Sequence, residues 1–409
     1  MSRRDHWELT RLKHIVDCNA GTLPEDSDPD LSFTYVDIGN VTQGDLVLES
    51  EPTRFADAPS RARRLAVPGD TVVSTVRTYL RAVATVPEND DLLVFSTGFA
   101  VLHPRPVVDP RFLAYYLQGD EFVDRVVASS TGVSYPAITA TELVRFDVRL
   151  PNLSEQEAIA SYLNRETAKI DALIREQIGM VEVLRERRSA VITHACDVDA
   201  GVFPMRRAIE RIRQGSSPNC EPWSTDGVTE WAVLKAGCSN TGRFRPDENK
   251  RLPEGEHPRA DFVVKRGEVV MSRSNTKELV GSASVVTGDY PRLMLSDLTY
   301  GITFRPHALP TYVAYALGSA RSRWAISSMS KGTSPSMQKI SQTDIGDIPL
   351  ALPSIEEQRR IADHLDQQTE AIDALIVDAE GVVTVARERR SALITAAVTG
   401  QIDVRGEVA

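Results

Sequence analysis

Cysteine is scarce. Cys18, Cys196, Cys220 and Cys238 are the whole complement of a 409-residue chain, and no two of them form a CxxC pair. That spacing argues against a structural zinc site and a disulfide framework, and it suits a cytoplasmic setting. No run approaches the ~20 apolar residues that a bilayer-spanning helix needs. The opening MSRRDHWELTRLKHIVD carries charge but no apolar centre, unlike a secretory signal. Motifs of catalysis are missing too. There is no GxxxxGK[ST] phosphate loop, no strand-associated GxGxxG, no Asn/Asp/Ser-Pro-Pro-aromatic motif, no GxSxG elbow and no HExxH. The seven histidines show no ligand spacing. Pro246-Asp247-Glu248-Asn249-Lys250 holds a PD and an ExK element, but they overlap and cannot bring separate carboxylates around one metal. The chain reads as lacking a catalytic centre and a metal site of its own.

Net positive charge is also missing: 47 Lys+Arg against 57 Asp+Glu leave −10, which taken alone speaks against a nucleic-acid partner. The distribution changes that conclusion. Residues 1–150 hold 15 basic and 22 acidic side chains (−7), and residues 151–199 hold 6 and 9 (−3). Residues 200–350 hold 20 and 15 (+5), and residues 351–409 hold 6 and 11 (−5). Phosphate binding depends on local clusters rather than on the total, so DNA stays open. With 42% hydrophobic and 25% charged residues, the composition is that of folded globular domains. The length suggests two or three of them.

What the chain does have is a repeat. Residues 150–195 and 352–397 align without a gap at an offset of 202, with IDALI (Ile170–Ile174, Ile372–Ile376) and RERRSA (Arg185–Ala190, Arg387–Ala392) intact in both copies. Asn152-x-x-Glu155 and Ser354-x-x-Glu357 each set a capping residue three positions before an acid, the start signal of a helix. No proline interrupts either copy. Leu163, Ile170, Ile174, Val181 and Leu184 in the first, and Leu365, Ile372, Ile376, Val383 and Leu393 in the second, form apolar seams at 3–4 spacing. Thr167/Thr369 and Arg188/Arg390 interrupt the seams at matching depths. About 40 residues at 1.5 Å each predict rods of roughly 60 Å. An apolar seam needs a partner, and each copy is the other's nearest candidate, although two separate amphipathic core helices would give a similar pattern.

The segments before these helices diverge but share a skeleton. Each opens on an aromatic and an apolar turn (Trp7 to Leu12, Phe203 to Ala208). Each carries a Gly-acid-β-branched run (Gly69-Asp70-Thr71-Val72-Val73-Ser74, Gly267-Glu268-Val269-Val270-Met271-Ser272) and ends in a Ser/Thr/Gly-rich loop (Ser129–Thr139, Ser330–Ile340). Short runs such as Phe33–Ile38, Leu92–Phe95, Phe99–Leu102 and Ala283–Val286 read as strands between Gly and Pro breaks. Each segment is expected to be an α+β domain: residues 1–150, then helix 151–199, residues 200–351, then helix and tail 352–409. Candidate DNA contacts in the first domain are Arg61, Arg63, Arg64, Arg77, Thr78, Tyr79, Arg81, Ser134 and Tyr135. In the second they are Arg243, Arg245, Arg273, Ser274, Asn275, Lys277, Lys331, Thr333 and Ser334. Arg suits guanine edges and phosphates, Asn suits adenine, and hydroxyls and loop amides suit phosphates. The residues alone leave room for a coiled-coil scaffold whose domains bind proteins or glycans, and for an enzyme of unrecognised class.

Two divergent domains, each followed by a near-identical long helix opening LP-x-x-x-EQ-x-x-I-A and closing RERRSA-[LV]-I-T, resemble the specificity subunit of type I restriction–modification systems. The Tyr35-Val-Asp-Ile-Gly-Asn and Gly-Asp-Thr-Val-Val-Ser runs fit that family, and the resemblance covers essentially the whole chain. It implies a non-catalytic subunit with two target-recognition domains, each reading half of a split, asymmetric sequence in double-stranded DNA. It implies that the helices pair as an antiparallel coiled coil and dock two methyltransferase subunits, for which Arg185, Arg187, Arg188, Arg387, Arg389 and Arg390 are the candidate contacts. S-adenosylmethionine would belong to the methyltransferases, and ATP and Mg to a restriction subunit where one joins. The resemblance does not carry over which residues touch bases.

Overall fold

The computed structural model describes residues 6–44, 46–48, 51–89, 91–332, 334 and 337–404. Both long helices form where the capping signals place them, as Leu153–Cys196 and Ile355–Val398, 44 residues each. Asn152 Oδ1 accepts the Glu155 amide at 3.0 Å, and Ser354 Oγ accepts the Glu357 amide at 3.3 Å. Each side chain thereby satisfies one amide that the first helical turn leaves without a partner.

The chain divides into two compact units. The first comprises residues 1–178 and 381–409, the second residues 179–380. Each therefore holds one of the expected α+β domains together with half of each long helix. The helices run antiparallel: Asp171 meets Arg390 in the first unit, and Asp373 meets Arg188 in the second, so partner numbers fall as positions rise. Leu163 and Leu365 are fully buried, and Val181, Leu184, Ile372 and Val383 are nearly so. Ile170, Ile174, Ile376 and Leu393 are half-buried.

In the first unit a four-stranded antiparallel sheet has the order Val16–Cys18, Phe99–Pro104, Thr71–Ser74, Val83–Thr85. The β-branched run after Gly69-Asp70 supplies its third strand, buried on both faces. A five-stranded sheet carries Ser32–Val36 and Leu93–Ser96 as a parallel pair. The helices Pro110–Gln118 and Asp120–Ser129 close one core that also takes in Trp7, Ile159, Ala160, Leu163, Ile394 and Val398. The second unit repeats the plan. Its sheet runs Ile209–Gln214, Thr299–Phe304, Val269–Ser272, Ala283–Val285, and its helices are Pro310–Gly318 and Ala320–Met329. Its core takes in Ile192, Cys196, Met205, Tyr312, Ile361, Ala362 and Leu365. Among the described residues, its next largest sheet has three strands, against five in the first unit.

The polar anchors of domain on helix repeat as well. Gln156 Oε1 accepts the Asp109 amide while its Nε2 donates to the Pro151 carbonyl; Gln358 does the same with Leu309 and Pro353. Tyr115 donates to Asn164 and lies 3.0 Å from the Thr167 hydroxyl, as Tyr315 does with Asp366 and Thr369. The seam threonines are thus anchor points. Among the described residues, no helix is long and apolar enough to cross a membrane, and no group of His, Cys, Asp and Glu is arranged to hold a metal.

Candidate nucleic-acid interface

In each unit the loop after the Gly-acid strand meets the Ser/Thr/Gly-rich loop before the long helix, and together they make a two-loop platform. In the first, Val76 and Thr131 both bridge to Ala137, and Thr78 donates to the Ser130 hydroxyl at 2.8 Å. The Arg77 amide donates to the Pro136 carbonyl, and its guanidinium lies 4.8 Å over the Tyr135 ring. In the second, Ser274–Asn275 pairs with Gln338–Lys339, and Lys331 bridges to Lys339. Main-chain pairing fixes the frame, which leaves the side chains at the tips free to differ.

The tips do differ. The first presents Arg77, Tyr79, Leu80, Val133, Ser134 and Tyr135 to solvent. Val133 is fully exposed and Tyr135 is 64% exposed, so the surface is aromatic and aliphatic with one cation. The second presents Lys277, Lys331 and Lys339, with Met337 beside them. Lys339, Leu80, Val133 and Met337 are platform residues that the sequence reading missed. The only signal for Lys339 was its place at the end of the loop SKGTSPSMQKI, since an isolated lysine is ordinary on any surface.

Several other candidates are placed differently. Thr78 and Ser274 are buried, and Thr78 spends its hydroxyl inside the fold. The Asn275 amide donates to Asn240 Oδ1, and Arg273 donates to the Asp297 carbonyl. Arg61, Arg63 and Arg64 lie on or beside the five-stranded sheet. Arg61 pairs with Asp37 at 2.6 Å and donates to the Tyr35 hydroxyl, which holds its guanidinium in the charged form. Arg63 stacks over Phe55, and Arg64 is half-buried. Arg243 turns to Asp373 of the second long helix at 2.8 Å, and Arg245 pairs with Glu248. Arg81 binds Asp120 and Asp124. Ser334 is half-buried, and Thr333 lies outside the described residues.

The arginines at the helix ends separate into two kinds. Arg188 and Arg390 turn inward: each binds the aspartate of the opposite helix at 2.8 Å, and the turns at Gly242 and Gly44 pack on their guanidinium groups. This corrects their assignment to partner docking. Both stand in the seam rows of the sequence pattern, and a seam position faces the other helix. Arg185 pairs with Glu380, whereas Arg187, Arg387 and Arg389 point to solvent. Exposed apolar residues accompany them at the repeat offset: Leu173, Met180 and Val183 on one helix, Leu375, Val382 and Val385 on the other.

Residues 4–182 match the family model of the type I restriction modification DNA specificity domain. The chain is 26% identical over 168 residues to the type I restriction enzyme EcoEI specificity subunit of Escherichia coli, covering 41% of this chain and 28% of that one. It is 22% identical over 291 residues to the EcoKI specificity subunit of Escherichia coli (strain K12), covering 67% and 61%. The chain thus spans less than two thirds of the length of these relatives. Among solved structures, a chain from a study of complex assembly and conformational transition of the type I R-M system superposes with a TM-score of 0.66 at 21% identity, over 97% of this chain and 98% of that one. That likeness extends to the fold, with its alternation of α+β domains and long helices.

Proposed function

We propose that this chain, which belongs to the type I restriction–modification DNA specificity family, reads a split, asymmetric DNA sequence and docks two adenine-N6 methyltransferase subunits, with a restriction subunit able to join them. The observation that carries this reading is the internal repeat: one frame built twice, with equivalent helix surfaces and unlike loop tips. Equivalent surfaces serve the same partner twice, as twofold assemblies do. Unlike tips read unlike bases. The lysines of the second platform supply phosphate contacts and steering. The aromatic and aliphatic tip of the first suits stacking and thymine methyl contact. Its acidic domain leaves much of the phosphate neutralisation to the partner enzymes. On the helices, Arg187, Arg387 and Arg389 with the exposed Val183 and Val385 are the docking contacts we favour, since an apolar patch with a charged rim is what a protein interface uses.

The test is modification-sensitive sequencing of DNA from cells that carry the partner methyltransferase, with and without this chain. The expected result is N6-methyladenine at one split motif that disappears when the chain is removed. An unchanged methylome, with the methyltransferase present and active, would move the assignment to a scaffold that binds other proteins. Charge reversal of Arg187 and Arg389 is expected to weaken co-purification of the methyltransferase while leaving the fold intact.

A further inference from the structure

Arg81 poses a steric question. It ends the turn Thr78–Leu80 of the first platform with φ 55° and ψ 32°, in the left-handed region that a side chain with a Cβ enters only at a cost. At the same place in the second domain the chain uses Gly281, with φ 73°. The equivalence is fixed by the ladder: the Ser74 amide donates to the carbonyl of Ala82, directly after Arg81, and the Ser272 amide donates to that of Ser282, directly after Gly281. In the second domain a Cβ at Gly281 would come within 2.8 Å of Ile326 Cγ2. Glycine is the unstrained choice, so an arginine held here points to a task for its side chain.

That side chain leaves the tip and runs to the helix behind it. Its guanidinium binds Asp120 and, at 2.8 Å, Asp124, while Nε reaches Gln43 Oε1 at 3.4 Å. Asp120 is shared. The Ser391 hydroxyl of the second long helix donates to both its carboxylate oxygens at 3.0 and 2.9 Å, the Asp120 amide donates to Thr395 Oγ1 at 2.9 Å, and the Thr395 hydroxyl stands 3.4 Å from Oδ2. One carboxylate therefore touches the reading turn and a long helix together. The second domain divides this task. Ala320 stands in the place of Asp120, and its amide still meets Thr193 of the first long helix, but no carboxylate is there to reach the turn. The turn is held instead by Arg323, which donates to the carbonyls of Glu278 and Val280 at 2.8 Å each and has no described contact with the long helix.

We propose that Arg81 is a positioning residue: it sets the Thr78–Leu80 reading turn of the first domain through Asp120 to Ser391 and Thr395, so that the selectivity of this domain, and not of the second, depends on the long helix. Resting as it does on the DNA-reading function proposed above, it makes the helix that presents the docking surface part of the reading machinery for one half of the target. A planar guanidinium that bridges two carboxylates, Asp120 through one nitrogen and Asp124 through the other, transmits orientation as well as charge, which a lysine or a lone hydroxyl does not.

The experiment uses the full chain assembled with its methyltransferase and reads methylation of DNA carrying single base changes in either half of the split motif. Substituting Tyr79, Val133 and Tyr135, the exposed tip to which base contact is assigned, marks which half belongs to the first domain. Arg81→Gly relieves the backbone strain and removes only the anchor. This variant, Asp120→Ala, and the double variant Ser391→Ala with Thr395→Val are each expected to lower discrimination in the first domain's half by about tenfold, within the usual range for coupled sites, with the other half unchanged. The equivalent Ser189→Ala with Thr193→Val should alter neither half. Exchanging the charges, Arg81→Asp with Asp120→Arg, is expected to restore part of the loss. Equal losses in both halves, or unchanged discrimination with Arg81→Gly and Asp120→Ala, would overturn the proposal. A wild-type complex that methylates no split motif would instead overturn the function on which it rests.

Discussion

The two domains solve one problem with different chemistry, and the clearest case is the acid after the Gly69 and Gly267 turns. In the first, Asp70 is buried, accepts the Val67 amide at 2.9 Å and lies 2.7 Å from Nδ1 of a half-exposed His103. In the second, Glu268 accepts the Lys265 amide and forms an ion pair with Arg213, whose guanidinium also donates to the carbonyls of Asp261 and Val263. Both members of that pair are nearly inaccessible, at 1% and 9%. The turn needs an acceptor for its amide, which is why an acid stands in both copies. What neutralises the acid is free to change. A duplicated frame constrains main-chain geometry tightly and side-chain partners loosely, and the same difference separates the aromatic tip of one platform from the lysines of the other.

The largest effect should come from breaking that pair. Glu268→Ala leaves Arg213 charged and buried, which typically costs about 3–5 kcal/mol. Asp70→Ala removes an acid whose partner reaches water, so its cost should be clearly smaller. Urea unfolding of the two variants checks this. The buried Trp7 in the first unit and the half-buried Trp231 in the second give each unit a fluorescence reporter. Equal costs would mean that the turn amide, and not the ion pair, dominates. Next come Leu163→Ala and Leu365→Ala, both fully buried where a long helix meets its domain. Each should cost about 2–5 kcal/mol, and a twofold frame predicts nearly equal values. A large inequality would locate packing differences that the sequence repeat conceals.

A smaller effect separates the units by pH. Cys196 in the second unit is buried, and desolvation pushes its thiol from 9.0 up to about 12. Val398 stands at its repeat position in the first. Because the folded value lies above the unfolded one, the neutral thiol's stabilisation is fully present below pH 9. It is lost as pH rises toward 12, at up to about 1.4 kcal/mol for each pH unit. Cys196→Val should flatten part of this alkaline loss while leaving stability near pH 7 little changed. Parallel unfolding curves for the wild type and the variant from pH 8 to 11 would refute it.

The parts of this fold that were legible in the sequence are those where one physical rule acts alone. The capping pairs Asn152/Glu155 and Ser354/Glu357, the seams at Leu163 and Leu365, and the β-branched strands Thr71–Ser74 and Val269–Ser272 follow from local spacing. The interface was harder to read, because an arginine's role depends on what surrounds it in space. Arg77 reaches solvent over Tyr135, Arg81 four residues later turns to Asp120, and Arg243 is taken by a helix more than a hundred residues away. The seam pattern did hold one unused clue. Arg188 and Arg390 interrupt apolar rows, and a charge in a seam demands an opposite charge across it. Asp171 and Asp373, inside the IDALI repeats, are that charge.

The smallest expected effect concerns Gly179 and Gly381, repeat equivalents in the middle of the long helices. Glycine costs a helix about 1 kcal/mol relative to alanine, because its backbone loses more freedom on folding. At neither position would an added Cβ meet an atom within 4 Å beyond the backbone of its own helical turns, so tertiary packing gives no reason for glycine there. Gly179→Ala and Gly381→Ala are each expected to stabilise the chain by about 0.4–1 kcal/mol, read as a raised urea midpoint with an unchanged slope. The two gains should match, since the sites are equivalent in sequence and in emptiness. If one variant is stabilising and the other is not, the two helix midpoints differ in their surroundings, and the equivalence that holds for seams and anchors stops there. If both stabilise the chain equally, helix stability has been given up at the same point in both copies.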